Sequence, residues 1–237
     1  MEIAELVTQL EQDGARLTRV AADLDAEVPP CPQWTVRDLV THTGGVHRWA
    51  TSIVRDRIDD PAAGDAPLPS PGARDLVEWF AEGHADLVQA LWAADPDMQC
   101  WTFLPAPSPL AFWARRQAHE TAIHRADAES VAGAITPLAA EFALDGIDEL
   151  HAFIARRPTF KYVDAPRTIA LRPEGAAGWT VTLAPDGVRA VPGAEPADAT
   201  VSGSASEVYL WVWNRPASVV VDGDQEVAAL WRHVRVR

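Results

Sequence analysis

WARRQAHETAIHRAD, residues 113–127, is the stretch on which the reading of this chain turns. It puts a carboxylate and two imidazoles within six consecutive positions of what reads as a helix. At about 100° per residue, Glu120 and His124 stand roughly 40° apart, on one face and one turn apart. His119 and His124 are separated by roughly 140° on the same count, so His119 looks away from that pair. This is not the H-E-x-x-H of zinc proteases, whose second histidine would fall on Ile123. The spacing offers Glu120 and His124 as two metal ligands and requires a third from elsewhere. Surface helices often carry an i, i+4 Glu/His pair, so the element that stands opposite decides its meaning.

That element is WTVRDLVTHTGGVHRWATSIVRDRI, beginning at Trp34. Thr35 with Asp38 three residues on forms a capping-box variant that opens a helix. Val36, Leu39, Val40, Val46, Trp49, Ile53 and Val54 give it an inward face, and His42 falls on that face between Leu39 and Val46. A histidine alone on an apolar face is ordinarily a core residue with a backbone partner. Opposite Glu120 and His124 it becomes the third ligand. His47, five residues further on, points elsewhere and is the reserve. Spacing does not decide whether His47 or His119 assists the site.

Outward from these two helices, residues 3–26 and 74–92 show helical apolar spacing, with Gly14 a weak point in the first. VPPCPQ stops the first helix, because consecutive prolines cannot continue one. A Pro/Gly/Asp-rich loop spans residues 59–72, and a proline-rich loop with Trp101 and Phe103 spans 95–109. Thr136-Pro137 reads as N-cap and N1 of a further helix running to Ile154. The expectation is a four-helix bundle whose facing helices assemble a metal site in the core. After Arg157-Pro158 the pattern changes to short β-branched runs, RTIALRP, GWTVTLAP, VRAVP, DATVSG and SVVVDG, separated by turn residues. SASEVYLWVWNR and DQEVAALWRHV read as helices among them, the first capped by Ser204. The chain therefore divides into a bundle over 1–158 and a small α+β domain over 159–237. Trp101, Phe103, Trp211 and Trp213 either wall a pocket between the domains or pack in their cores.

Composition narrows the partners. A formal charge of -14 over 237 residues argues against nucleic acid and against an anionic membrane surface, both of which need a basic face. Cys31 and Cys100 stand far apart with no C-x-x-C spacing, which reads as reduced thiols in a cytoplasmic protein. The acidic, amphipathic N-terminus is no signal peptide, and no apolar run reaches membrane-spanning length.

Four stretches together resemble the mycothiol-dependent maleylpyruvate isomerase family. PCPQWTVRDLVTH is similar to its G-W-T-x-x-x-L-x-x-H segment, with Gln33 in place of the usual Gly. RQAHETAIHRAD is similar to its E-x-x-x-H-x-x-D segment, DGIDELHAFI to the helix closing the bundle, and VSGSASEVYLWVWNRP to its S-G-S…G-R stretch. The resemblance implies a DinB-like metal-binding bundle followed by a small sterol-carrier-like domain. It implies His42, Glu120 and His124 as metal ligands, in agreement with the helical-face argument. Asp127 matches the family's acidic position, as a support for a ligand or for bound water. Arg215 matches the family's arginine that binds the carboxylate of substrate or thiol cofactor, although Asn214 replaces the Gly before it.

Two imidazoles and a carboxylate leave a zinc ion one open position, the arrangement of catalytic sites. Nickel or iron would also suit these ligands. The implied reaction is addition of mycothiol to a conjugated double bond of a small anionic or electrophilic substrate, then rotation and elimination, with S-transfer as a related outcome. Two other classes stay open on the sequence. One is a metal-dependent hydrolase with Asp127 as base. The other is a non-enzymatic protein that binds a small molecule.

Overall fold

A computed structural model describes residues 1–72, 74–156 and 159–234. It divides into two compact units, Met1–Thr136 and Pro137–Arg237.

The first unit holds α1 (Ile3–Val20), α2 (Val36–Asp56), α3 (Leu76–Ala93) and α4 (Pro109–Ser130). These are the four helices of the bundle. α2 begins with the capping box expected from the sequence: Thr35 Oγ1 accepts from Asp38 N at 3.3 Å, and Asp38 Oδ2 accepts from Thr35 N at 2.8 Å. Such a cap contributes about 1 kcal/mol. α1 stops at Val20, short of the expected 26. Beyond it, the Leu24 and Ala26 carbonyls accept from Arg37 N and Val36 N and so tie the chain to the start of α2. Leu17, Val36, Leu39, Trp79, Phe80 and Ala128, drawn from all four helices, share one core cluster.

Two glycines are required by close approach. A Cβ on Gly14 would lie 2.2 Å from the ring of His84, whose Nε2 donates to the Glu11 carbonyl at 3.3 Å. The apparent weak point of α1 is therefore where α3 comes nearest. A Cβ on Gly44 in α2 would likewise fall 2.5 Å from the Trp79 ring.

α4 is the central helix and buries polar side chains along most of its length, among them Arg116, Gln117, His119, Thr121, His124, Arg125 and Asp127. Buried polar groups persist only when paired, and Arg125 shows how. Its Nε donates to Asp13 Oδ1 at 3.1 Å, and its Nη1 donates to Glu129 Oε2 and to the Thr136 carbonyl, each at 2.7 Å. Arg16 pairs with the other oxygen of Glu129. This network fastens α1 to α4.

The second unit begins earlier than the sequence pattern suggested. Arg157 and Pro158, where the boundary was expected, lie outside the described residues. The division falls instead between Thr136 and Pro137. α5 (Ala140–Ile154), expected to close the bundle, belongs with the second unit. The reason lies in its partners: Phe142 meets Tyr209 ring to ring, His151 meets Trp179, and Leu138 N donates to Ser206 Oγ. Thr136 does not cap α5, because its N–H and hydroxyl both donate to Glu129. Ala139 holds the N-cap position.

The remaining elements are β1 (Arg167–Pro173), β2 (Trp179–Ala184), β3 (Gly187–Pro192), β4 (Ala199–Gly203), α6 (Ala205–Val212), β5 (Val220–Gly223) and α7 (Gln225–Ala229). The strands form one sheet in the order β3-β2-β1-β4-β5, with β1 and β4 parallel and the other pairs antiparallel. Alternate residues Ile169 and Leu171, Val181 and Leu183, and Val201 are wholly buried, as are Val208 and Tyr209 of α6. Trp211 stacks on Trp231 with ring centroids 5.4 Å apart, and Trp101 packs with Trp49, Phe103 and Trp113 in the first unit.

Candidate metal centre

α2 and α4 pack together within the bundle. Between them, His42, Glu120 and His124 bring one ligand atom each to within 4.8 Å of one another. His42 Nε2 stands 3.4 Å from Glu120 Oε1, and His124 Nε2 stands 3.1 Å from the same oxygen. Metal–nitrogen bonds of about 2.0–2.1 Å at tetrahedral angles put neighbouring ligand atoms about 3.3 Å apart. Two of the three edges match that figure, as a tetrahedral zinc-type ion held by three protein ligands would require. His42 and Glu120 remain partly open, with side chains 31 % and 23 % exposed, while His124 is buried at 9 %.

His124 is gripped from both sides. Its Nδ1 lies 3.0 Å from Asp127 Oδ2, one turn along α4. Asp127 is wholly buried and also accepts from Cys31 Sγ at 3.4 Å. A carboxylate on Nδ1 fixes the tautomer that leaves the Nε2 lone pair for a metal. Burial alone would depress the His124 pKa, but the Glu120 and Asp127 carboxylates override it and push it up to about 9 in the metal-free protein. Burial would raise Glu120, yet His124, His42 and Arg116 hold it well below the ordinary carboxylate range.

The strand of chain between α1 and α2 covers the site. Cys31-Pro32-Gln33-Trp34 closes a turn in which Trp34 N donates to the Cys31 carbonyl at 3.0 Å. Pro at its second position and a positive φ of 75° at Gln33 are the marks of a type II turn, which asks for glycine there. The turn sets Trp34 against both imidazoles of the cluster, 5.0 Å from His42 and 6.1 Å from His124 between ring centroids.

His47 and His119 are not members of the cluster. His47 is wholly buried, paired through Nε2 with Thr121 Oγ1 at 2.8 Å and packed on Phe80 and His84. Burial, and then the charge of His84, put its pKa well below the usual imidazole value. His119 is wholly buried as well.

Residues 4–129 match the mycothiol maleylpyruvate isomerase N-terminal domain, more than half of the chain. The chain belongs to the mycothiol maleylpyruvate isomerase family. Residues 141–230 match the C-terminal domain of the same family. No curated protein sequence matches the chain significantly. Among solved structures, a crystal structure of the mycothiol-dependent maleylpyruvate isomerase is similar, with a TM-score of 0.65 at 14 % identity, covering 94 % of this chain and 93 % of that one. A histidine-to-alanine variant of that isomerase matches with a TM-score of 0.64 at 13 % identity, with the same coverage. These likenesses show a shared fold.

Both departures from the family's glycines keep a glycine-like backbone. Gln33 holds φ 75° and Asn214 holds φ 58°. At Asn214, α6 ends in a Schellman motif: Arg215 N donates to the Leu210 carbonyl and Asn214 N to the Trp211 carbonyl, both at 2.9 Å. Asparagine tolerates the left-handed region better than other side chains, and its Nδ2 adds a bond to the Val234 carbonyl at 2.8 Å. The loop before Arg215 thus keeps the form a glycine would give. Arg215 itself lies in the second unit, where its Nη1 donates to the Trp213 carbonyl at 2.7 Å.

Three residues at the centre escaped the sequence reading. Arg116 carries a local signal, since it precedes Glu120 by four residues on the same face of α4 and donates to Glu120 Oε2 at 3.0 Å. Cys31 and Trp34 carry none as site residues, because the α4 residues they meet, Asp127 and His124, lie far along the chain.

Proposed function

We propose that this protein is a metal-dependent isomerase or S-transferase that uses a low-molecular-weight thiol, mycothiol in the first instance. The observation that carries the reading is the His42, Glu120 and His124 cluster, with edges of 3.4 and 3.1 Å, in a chain of the mycothiol maleylpyruvate isomerase family. Zinc is the first candidate for the ion, with nickel and iron behind it. When bound, such an ion supplies a Lewis acid beside which a thiol loses its proton near neutral pH.

The chain's own residues do the rest. His42, Glu120 and His124 hold the ion, Asp127 keeps His124 in the tautomer that can bind it, and Trp34 shields the two imidazoles. Arg215 takes the carboxylate of a small anionic or electrophilic substrate. Thiol addition to its conjugated double bond, rotation about the resulting single bond and elimination of the thiol give cis–trans isomerisation. A cytoplasmic location suits a low-molecular-weight thiol and two cysteines outside any disulfide. Among the described residues no helix is long and apolar enough to cross a membrane. Hydrolysis with Asp127 as base is the poorer reading, because that carboxylate is wholly buried and its Oδ2 is bonded to His124 and Cys31.

The test is conversion of maleylpyruvate, and of a panel of electrophilic alkenes, by the zinc-loaded protein with and without mycothiol. Turnover that requires the thiol and disappears in Glu120→Gln is expected. Ester or amide hydrolysis at a rate indifferent to the thiol would overturn the proposal.

A further inference from the structure

Glu120 uses its two oxygens differently. Oε1 faces both imidazoles, while Oε2 accepts from Arg116 Nη2 at 3.0 Å. The Arg116 side chain is only 5 % exposed, against 23 % for the carboxylate it holds. A guanidinium keeps its proton at any working pH, and a charge-assisted bond from it is among the stronger hydrogen bonds a carboxylate can accept.

Helix stability does not ask for this pair. An i, i+4 ion pair contributes little to an exposed helix, and the order found here, with the cation N-terminal to the acid, is the weaker one. The bond's effect lies at the carboxylate. An oxygen held by Arg116 is turned away from an ion seated beside Oε1, so the carboxylate presents one oxygen. A chelating carboxylate would present two and fill the position that three-ligand catalytic sites leave open.

We propose that Arg116 is a positioning residue that keeps Glu120 a one-oxygen ligand and so reserves the fourth position for the exogenous thiol. The inference rests on the metal-centre reading above. Arginine suits the role better than lysine because its planar fork fixes the direction of the bond, whereas an ammonium is a rotating point charge.

The experiment loads wild type, Arg116→Met and Arg116→Lys with Co²⁺ and records the visible spectrum, with zinc affinity measured by chelator competition. Circular dichroism confirms that each variant is folded. Wild type is expected to show the intense bands of four-coordinate cobalt and a sulfur-to-cobalt charge-transfer band on adding a simple thiol. In Arg116→Met the visible bands weaken as Oε2 joins the coordination, the thiol band diminishes, and zinc affinity shifts by about tenfold or more, the usual scale for loss of an outer-shell partner. Arg116→Lys falls between the two, and it carries the comparison alone should Arg116→Met not fold. A wild type that takes up no cobalt overturns the metal centre and this inference together. A loaded wild type whose spectrum, thiol band and zinc affinity are unchanged in Arg116→Met overturns the role of Arg116 and leaves the metal centre standing.

Discussion

His151 sets up a pH-dependent weakness in the second unit. Its side chain is buried on α5, edge-on to Trp179 with ring centroids 5.4 Å apart, and among the described residues neither ring nitrogen has a hydrogen-bond partner. Burial drives its pKa from 6.5 down to about 4, against the opposing charge of Asp148 one turn away. The folded protein therefore keeps this imidazole neutral over a range in which the unfolded chain protonates it. Between pH 6.5 and about 4 the unfolded state binds a proton that the native state refuses, so stability is lost as pH falls through that window. Each pKa unit is worth about 1.36 kcal/mol, which makes the loss about 3 kcal/mol by pH 4. The perturbation is His151→Leu, which replaces the imidazole by an apolar side chain of similar size. Urea denaturation of wild type and variant at steps from pH 7.5 to 4 measures the difference. The two should have similar stability above pH 7, with wild type falling below the variant by about 3 kcal/mol at pH 4. Parallel curves across the whole range would refute the reasoning.

Other expectations follow from the same geometry. Gln33→Gly relieves a left-handed backbone costing about 1–2 kcal/mol, less the chain entropy a glycine loses, so thermal denaturation should show a gain of about 1 kcal/mol. Asn214→Gly should give no such gain, because it forfeits the bond from Nδ2 to the Val234 carbonyl. Arg125→Met leaves Asp13 buried without its cation and Glu129 with Arg16 alone, and denaturation should show a loss of about 3–5 kcal/mol. Asp127→Asn removes the carboxylate behind His124, and chelator competition should show zinc affinity weakened about 10–100-fold.

Much of this was legible in the sequence where the physics is local. Glu120 and His124 share a face because they are four residues apart on one helix, and Thr35 with Asp38 announced its capping box. His42 was legible because the apolar pattern of α2 put it inward. The five strands could be read from short β-branched runs between turn residues. What failed was long-range. The apolar face of α5 shows that the helix is buried but not against what, and it packs with Tyr209 and Trp179 of the second unit. Thr136 looks like an N-cap locally, yet the buried carboxylate of Glu129 takes its donors. Cys31 reaches Asp127 across 96 residues of sequence, a pairing no local pattern encodes. Gln33 and Asn214 stand between the two cases, since only the turn and cap geometry shows that both carry a glycine's backbone.

Elemental analysis of the purified protein tests directly whether His42, Glu120 and His124 form a metal centre. Wild type should carry about one zinc or similar ion per chain, as a three-ligand site requires, and a His42→Ala, His124→Ala double variant should carry none. A wild type that holds no metal as purified and takes up none from added zinc would contradict it.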